Sequence, residues 1–334
     1  MVSGQTYPVT VTMTNTGVNS WAAGSTYKLG SQNAQDNTIW GLNRVVVNSQ
    51  VAPNANHVFS FNVTAPATAG TYNFQWRMMK EGAEWFGDAS TNLAVKVALP
   101  PTLTVQRTPA TMVAGEGFGL VWTSTNATSV KRKCTSTGTG FIVNETLSAT
   151  SGSTTGTANS AWVGYPSTCT WTATGPGGTD AVTETMTTVA PSYNAQFVSQ
   201  TVAGTVTAGQ ASAVSVTMKN TGIGTWAAGS TFQLGSQNPA DNTTWGLMRV
   251  NNPSAVAPGG QATFSFSVTA PSNPATYNFQ WKMVRSNVTW FGAATTNKPV
   301  AVVGADTPVP VDITPPHLGN ADAGTLRLLS PAVV

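Results

Sequence analysis

The ionisable side chains that could carry out chemistry are few, and their pattern argues against an enzyme. Glu81, Glu84 and Asp88 are close enough in sequence to suggest the paired acids of glycoside cleavage. The chain repeats itself 205 residues later, and there the same positions hold Ser286, Thr289 and Ala293, so the second copy could not perform that reaction. His57 and His317 stand alone, which supplies neither a catalytic triad nor a zinc site. Asp36-Asn37-Thr38 and Asp241-Asn242-Thr243 read as turns, with too few carboxylates nearby to hold calcium. The two cysteines, Cys134 and Cys169, fall in expected strands near Trp122 and Trp171. They are read as one disulfide, with two free thiols in a reducing compartment as the alternative. No His lies in that stretch to activate a catalytic thiol. The expectation is no catalytic residue, no metal and no cofactor.

The elements that must position these groups are set by tryptophan. Trp21, Trp40, Trp76 and Trp85 recur as Trp226, Trp245, Trp281 and Trp290, each displaced by 205 residues. Around them the chain alternates with period two. Val9, Val11 and Met13 alternate with Thr; Phe59, Phe61 and Val63 form a second run; Tyr72, Phe74, Trp76 and Met78 a third. Each is the signature of a half-buried strand, and Asn, Gly and Pro punctuate them as turns. Trp76 and Trp281 share their parity with Tyr, Phe and Met and are read as core, with Trp21 and Trp226 as lids on its end. Arg44 and Arg249 share strand parity with Trp40 and Trp245, so an Arg–Trp stack is expected there. With Trp85 and Trp290 these six form the candidate binding patch, by the composition of binding hot spots.

Charged residues make up 8% of the 334-residue chain, and a net charge of +3 is too small to imply nucleic acid. Lys131-Arg132-Lys133 is read as a solvated strand face. No apolar run is long enough to span a membrane, and Met1-Val2-Ser3-Gly4 does not open a signal peptide. Residues 1–98 are the first copy, 102–190 an unrelated middle domain, 192–304 the second copy and 305–334 a Pro-rich tail. Within the middle domain, 147–160 reads as a Ser/Thr/Gly-rich loop. Gln196–Val202 precedes the second copy as a plausible first strand, whereas Met1 aligns with Val206 and leaves the first copy no room for one. The natural protein is therefore expected to begin further upstream.

Both copies resemble the four-tryptophan domain, also called the next-to-BRCA1 central domain. The resemblance rests on Asn15-Thr16-Gly17, Trp21, Leu29-Gly30-Ser31-Gln32-Asn33, Trp40-Gly41, Arg44-Val45, Ala65-Pro66, Gly70-Thr71-Tyr72, Phe74-Gln75-Trp76-Arg77-Met78 and Trp85-Phe86-Gly87, with their partners. It implies an immunoglobulin-like sandwich that docks partner proteins and has no catalytic role. The second copy departs at Ala275, where the first has Gly70. The middle domain resembles immunoglobulin-like domains of large bacterial surface proteins, through Trp122–Ser129 and Cys169–Gly175. Ala323-Gly324-Thr325-Leu326 resembles the lead-in to the shell of Rhs- and toxin-complex-type proteins. The expectation is an all-β chain of three tandem immunoglobulin-like sandwiches, extracellular or on a cell surface. It binds protein rather than nucleic acid or membrane; a glycan-binding module and a structural spacer of an Rhs- or toxin-type protein are the alternatives. No motif sets an oligomeric state.

Overall fold

The computed structural model describes residues 1–136, 138 and 142–305, so the Pro-rich tail and His317 lie outside the described residues. The all-β expectation holds. A single 3-10 turn, Ser160–Trp162, is the only helix among the described residues, and no described helix is long and apolar enough to cross a membrane. The chain forms two compact units. One is Met1–Asn194 with Asn220–Trp226 and Val256–Gly260; the other is Ala195–Lys219, Ala227–Ala255 and the residues from Gln261 on.

In the first unit the first copy contributes β1 (Thr6–Thr14), β2 (Gly24–Ser31), β3 (Arg44–Val47), β4 (Asn56–Thr64), β5 (Gly70–Phe74), β6 (Trp76–Lys80), β7 (Glu84–Phe86) and β8 (Leu93–Val97). β1 pairs with β4, β5 with β8, and the order β3-β2-β6-β7 makes a four-stranded sheet. All these pairings are antiparallel. The register sets Val9 opposite Phe61 and Val11 opposite Phe59, so the apolar parity of both strands falls on one face. Phe61 then meets Trp76 of β6 edge-on across the core, with ring centroids 4.9 Å apart.

The run Tyr72–Met78, one strand by its alternation, is two strands in two sheets. The chain crosses between them at Gln75, whose side-chain amide donates to the Ser90 carbonyl at 2.9 Å. The Trp76 amide donates to the Ser90 hydroxyl at 3.0 Å. Parity survives because both sheets face the same interior, so alternate side chains stay in the core. Asn15 secures the turn after β1: its side-chain amide donates to the Asn19 and Val51 carbonyls, and its oxygen accepts from the Gly17 amide at 3.1 Å. A buried Asn with its groups so paired has little desolvation cost left.

The middle stretch, still in the first unit, forms two sheets. One orders Ser151–Thr157, Gly117–Thr125 and Thr102–Thr108; the other orders Ile142–Leu147, Ser129–Ser136, Ser167–Gly175 and Gly178–Met186. Ser151–Thr157 corrects the loop expected over 147–160. It has no apolar residue to show alternation, yet it pairs with Gly117–Thr125. A Cβ on Gly152 would stand 2.1 Å from the Trp122 ring, so the glycine is what lets the two strands close there. Lys131-Arg132-Lys133 is not one solvated face: both lysines are exposed, while Arg132 lies over the Trp171 ring at 5.2 Å and pairs with Glu145 at 2.5 Å.

In the second unit, Ala195–Thr201 pairs with Ala211–Asn220, which pairs with Gln261–Thr269. A four-stranded sheet orders Arg249–Asn252, Gly229–Ser236, Trp281–Arg285 and Thr289–Phe291. The counterpart of this three-stranded sheet in the first copy has two strands, β1 and β4, among the described residues.

Candidate functional site

The expected patch divides into core and surface. Trp40 and Trp245 are buried, at 2% and 3% exposure, and cannot form a binding face. Their parity with Arg44 and Arg249 does not apply, because each sits in a turn ahead of the strand rather than in it. Trp40 donates its indole N–H to the Asn73 carbonyl at 2.9 Å and packs edge-on against Tyr72 and Phe74. Trp245 does the same with the Asn278 carbonyl, Tyr277 and Phe279. Trp76 and Trp281 are fully buried, and Trp21 and Trp226 are also buried.

Trp85 and Trp290 are half-buried on the outer face of the four-stranded sheets, each lying over a glycine. A Cβ at Gly30 would meet Trp85 at 2.4 Å, and one at Gly235 would meet Trp290 at 2.5 Å. Arg249 stacks over Trp290 at 5.8 Å, so the predicted Arg–Trp stack forms with the other tryptophan. Its guanidinium grips both Asp241 oxygens, at 2.8 and 2.7 Å. Arg44 grips Asp36 in the same way and also pairs with Glu81, which Lys28 holds at 2.7 Å. Lys28 and then Arg44 hold the Glu81 carboxyl below its usual range. Asp36, Asp241 and Glu81 thus serve ion pairs.

The Arg249 guanidinium holds the Asp241 carboxyl below the ordinary Asp value through its hydrogen bonds, against a smaller opposing effect of burial. A carboxylate depressed in the folded state contributes stability that is present above its unfolded pKa, about 3.9, and lost as pH falls through the folded value. Asp241→Asn is therefore expected to cost the same small amount, below about 1 kcal/mol for a pair this open to water, at pH 7 and pH 5. The gap should close below about pH 4, and chemical denaturation of both proteins at each pH measures it. A gap that widens in acid would contradict the assignment.

A further concave site lies elsewhere in the first copy. A groove of about 640 Å³ runs along Thr12–Asn19 and is walled by Trp21, Tyr27, Met78 and Phe86, with Lys80, Glu84 and Asp88 beside them. That volume is in the range of ligand sites. Its floor is core chemistry left open: Met13, Tyr27 and Phe86 are only partly buried, while Met218, Phe232 and Phe291 in the second copy are 0%, 3% and 7% exposed.

Against this geometry stand the comparisons with known proteins. The family model described as "Ig-like domain from next to BRCA1 gene" matches residues 1–98 and 199–297, together more than half of the chain. The chain belongs to this family. The next-to-BRCA1 Ig-like match covers both tryptophan repeats and stops short of the middle stretch. No curated protein sequence matches the chain. Among solved structures, the ICAM-5 D1–D4 ectodomain fragment is 11% identical with a TM-score of 0.33, over 91% of this chain and 74% of that one. The titin domains z1z2 in complex with telethonin are 14% identical with a TM-score of 0.32, over 61% and 97%. The E. coli alpha-2-macroglobulin is 10% identical with a TM-score of 0.24, and this chain, with 91% of its length covered, spans only 22% of it. Scores this low carry no argument, and the Ig-like assignment rests on the family model and the strands.

Of the six patch residues, the structure brings Arg249 and Trp290 together and leaves Trp40 and Trp245 inside the next-to-BRCA1 Ig-like core. The groove residues Met13, Thr16, Val18, Phe86 and Gly87 escaped the sequence reading. The available signal was the turn chemistry of Asn15-Thr16-Gly17 and of Gly87, which the sequence shows without showing that the two turns meet.

Proposed function

We propose that the chain is a non-enzymatic protein-binding module of an extracellular or cell-surface protein, built as two four-tryptophan domains, 1–98 and 192–304, around an Ig-like domain, 102–190, of the bacterial surface type. The groove of the first copy carries the reading: it pairs an apolar floor of Trp21, Met78 and Phe86 with a polar rim, the anatomy of a protein-binding surface. The Cys134–Cys169 disulfide supports an oxidising compartment. Trp85 and Trp290, each backed onto a glycine and half-buried, offer less ring face than a sugar-stacking platform needs.

Affinity capture from the secreted and surface proteins of the producing cells tests this. Exposed Ala89 lines the groove, and Ala89→Trp would fill it. A partner lost with Ala89→Trp and kept with Trp85→Ala and Trp290→Ala is the expected result. A partner lost only with the two Trp variants would move the site to the outer sheet face. Capture of nothing specific by the wild type would leave a spacer.

A further inference from the structure

The four-stranded sheet of the middle stretch separates its charges by face. Ser129–Ser136 is an interior strand, paired with Ile142–Leu147 on one side and Ser167–Gly175 on the other. Its alternation sends Val130, Arg132 and Cys134 inward and leaves Lys131, Lys133 and Thr135 exposed on the outer face. The acids of this sheet all share the inward parity and are already engaged. Glu145 pairs with Arg132. Glu184 pairs with Arg107 and accepts the Trp171 indole N–H, and Asp180 accepts from the Leu103 amide at 2.8 Å.

The outer face is left with cations, hydroxyls and an amide. Lys131 stands opposite Thr146 and Thr172, and Lys133 opposite Asn144 and Thr170. All of these are exposed except Thr172, which is half-buried. Among the described residues neither lysine has an ion pair. Two like charges two residues apart on one strand, roughly 6.7 Å, gain nothing from each other. Acids directly across from them would be stabilising, yet the register sets Thr and Asn there.

We propose that this face binds an acidic polysaccharide of the polyuronate type, with Lys131 and Lys133 on its carboxylates and the Thr and Asn side chains on its hydroxyls. Charge complementarity carries the assignment: the face is cationic, and no acid of its own sheet competes for the lysines. An acidic peptide fits it less well, because extended peptides bind through main-chain bonds at a sheet edge. Ser129–Ser136 and Ser167–Gly175 are paired on both sides and offer side chains alone. A phosphate calls for converging backbone N–H groups or an Arg fork, and here Arg107 and Arg132 are engaged on the inner side. A nucleic-acid strand calls for aromatic rings to stack on, and the outer positions named above hold none. This site is separate from the groove of the first copy and does not depend on it.

The test is affinity electrophoresis of the whole chain in gels containing polygalacturonate, with dextran as the neutral polymer and poly-glutamate as the acidic peptide. Retardation by polygalacturonate alone is expected, and it should fade as salt rises from about 0.05 M to about 0.5 M. Lys131→Gln and Lys133→Gln should each weaken it about two- to fivefold, and the double variant about tenfold. Thr170→Val removes a hydroxyl beside Lys133 and should weaken it about threefold. Lys96→Gln, the loss of an exposed charge on the first copy, should leave it unchanged. The substituted side chains of the two lysines are exposed, so an unaltered thermal midpoint is expected in those variants. No retardation by polygalacturonate, or retardation kept in the double lysine variant, would overturn the site. Equal weakening by Lys96→Gln would reduce it to net charge. Poly-glutamate binding as tightly, with Thr170→Val silent, would overturn the polysaccharide in favour of an acidic peptide.

Discussion

Trp281→Ala is expected to destabilise the second copy by about 3–5 kcal/mol, the cost of emptying a buried aromatic site. The ring is wholly inaccessible and lies edge-on against Phe266 at 5.0 Å and Phe279 at 5.8 Å. Those neighbours come from strands fixed by their own ladders, so they cannot collapse into the space. A loss of that size approaches the whole stability of a domain. Trp281→Phe should be milder, because it keeps most of the ring contact and removes an indole N–H that has no acceptor among the described residues. Hydrogen exchange of the Gln261–Arg285 backbone in the whole chain reads this directly. Protection retained in the Ala variant would mean that the ring does not fill the core.

Reduction of Cys134–Cys169 is expected to lower the stability of the middle stretch by about 3–4 kcal/mol in the loop-entropy model. The bond links Ser129–Ser136 to Ser167–Gly175, which face each other residue for residue, and its sulfurs lie in the core beside Met186. It closes a separation of 35 residues that carries the Ser151–Thr157 strand and the 3-10 turn. The thermal midpoint of that stretch should fall by roughly 10 °C or more once the bond is reduced. An unchanged midpoint, with both thiols titrated as free, would show that the sheet ladder alone holds these strands.

The core was legible because its signal is periodic. Trp76 and Trp281 sit in alternating runs, and parity alone places them inside. Trp40 and Trp245 were misplaced because parity was carried through a turn, where Asp36 and Asp241 adopt positive φ and the alternation resets. Ser151–Thr157 hid because a strand of Ser, Gly and Thr carries no apolar alternation, and its pairing depends on a distant Trp122. The Arg249–Trp290 stack needed the register of strands far apart in sequence. The groove was hardest, since its walls come from Thr12–Asn19 and from Met78 to Ser90, far apart in sequence, and no alternation marks where the two meet.

Affinity capture with the whole chain, wild type beside Ala89→Trp, tests the groove as the binding site most directly. A specific partner captured by the wild type and lost with Ala89→Trp is the predicted result. A partner retained by Ala89→Trp would contradict the groove as the site.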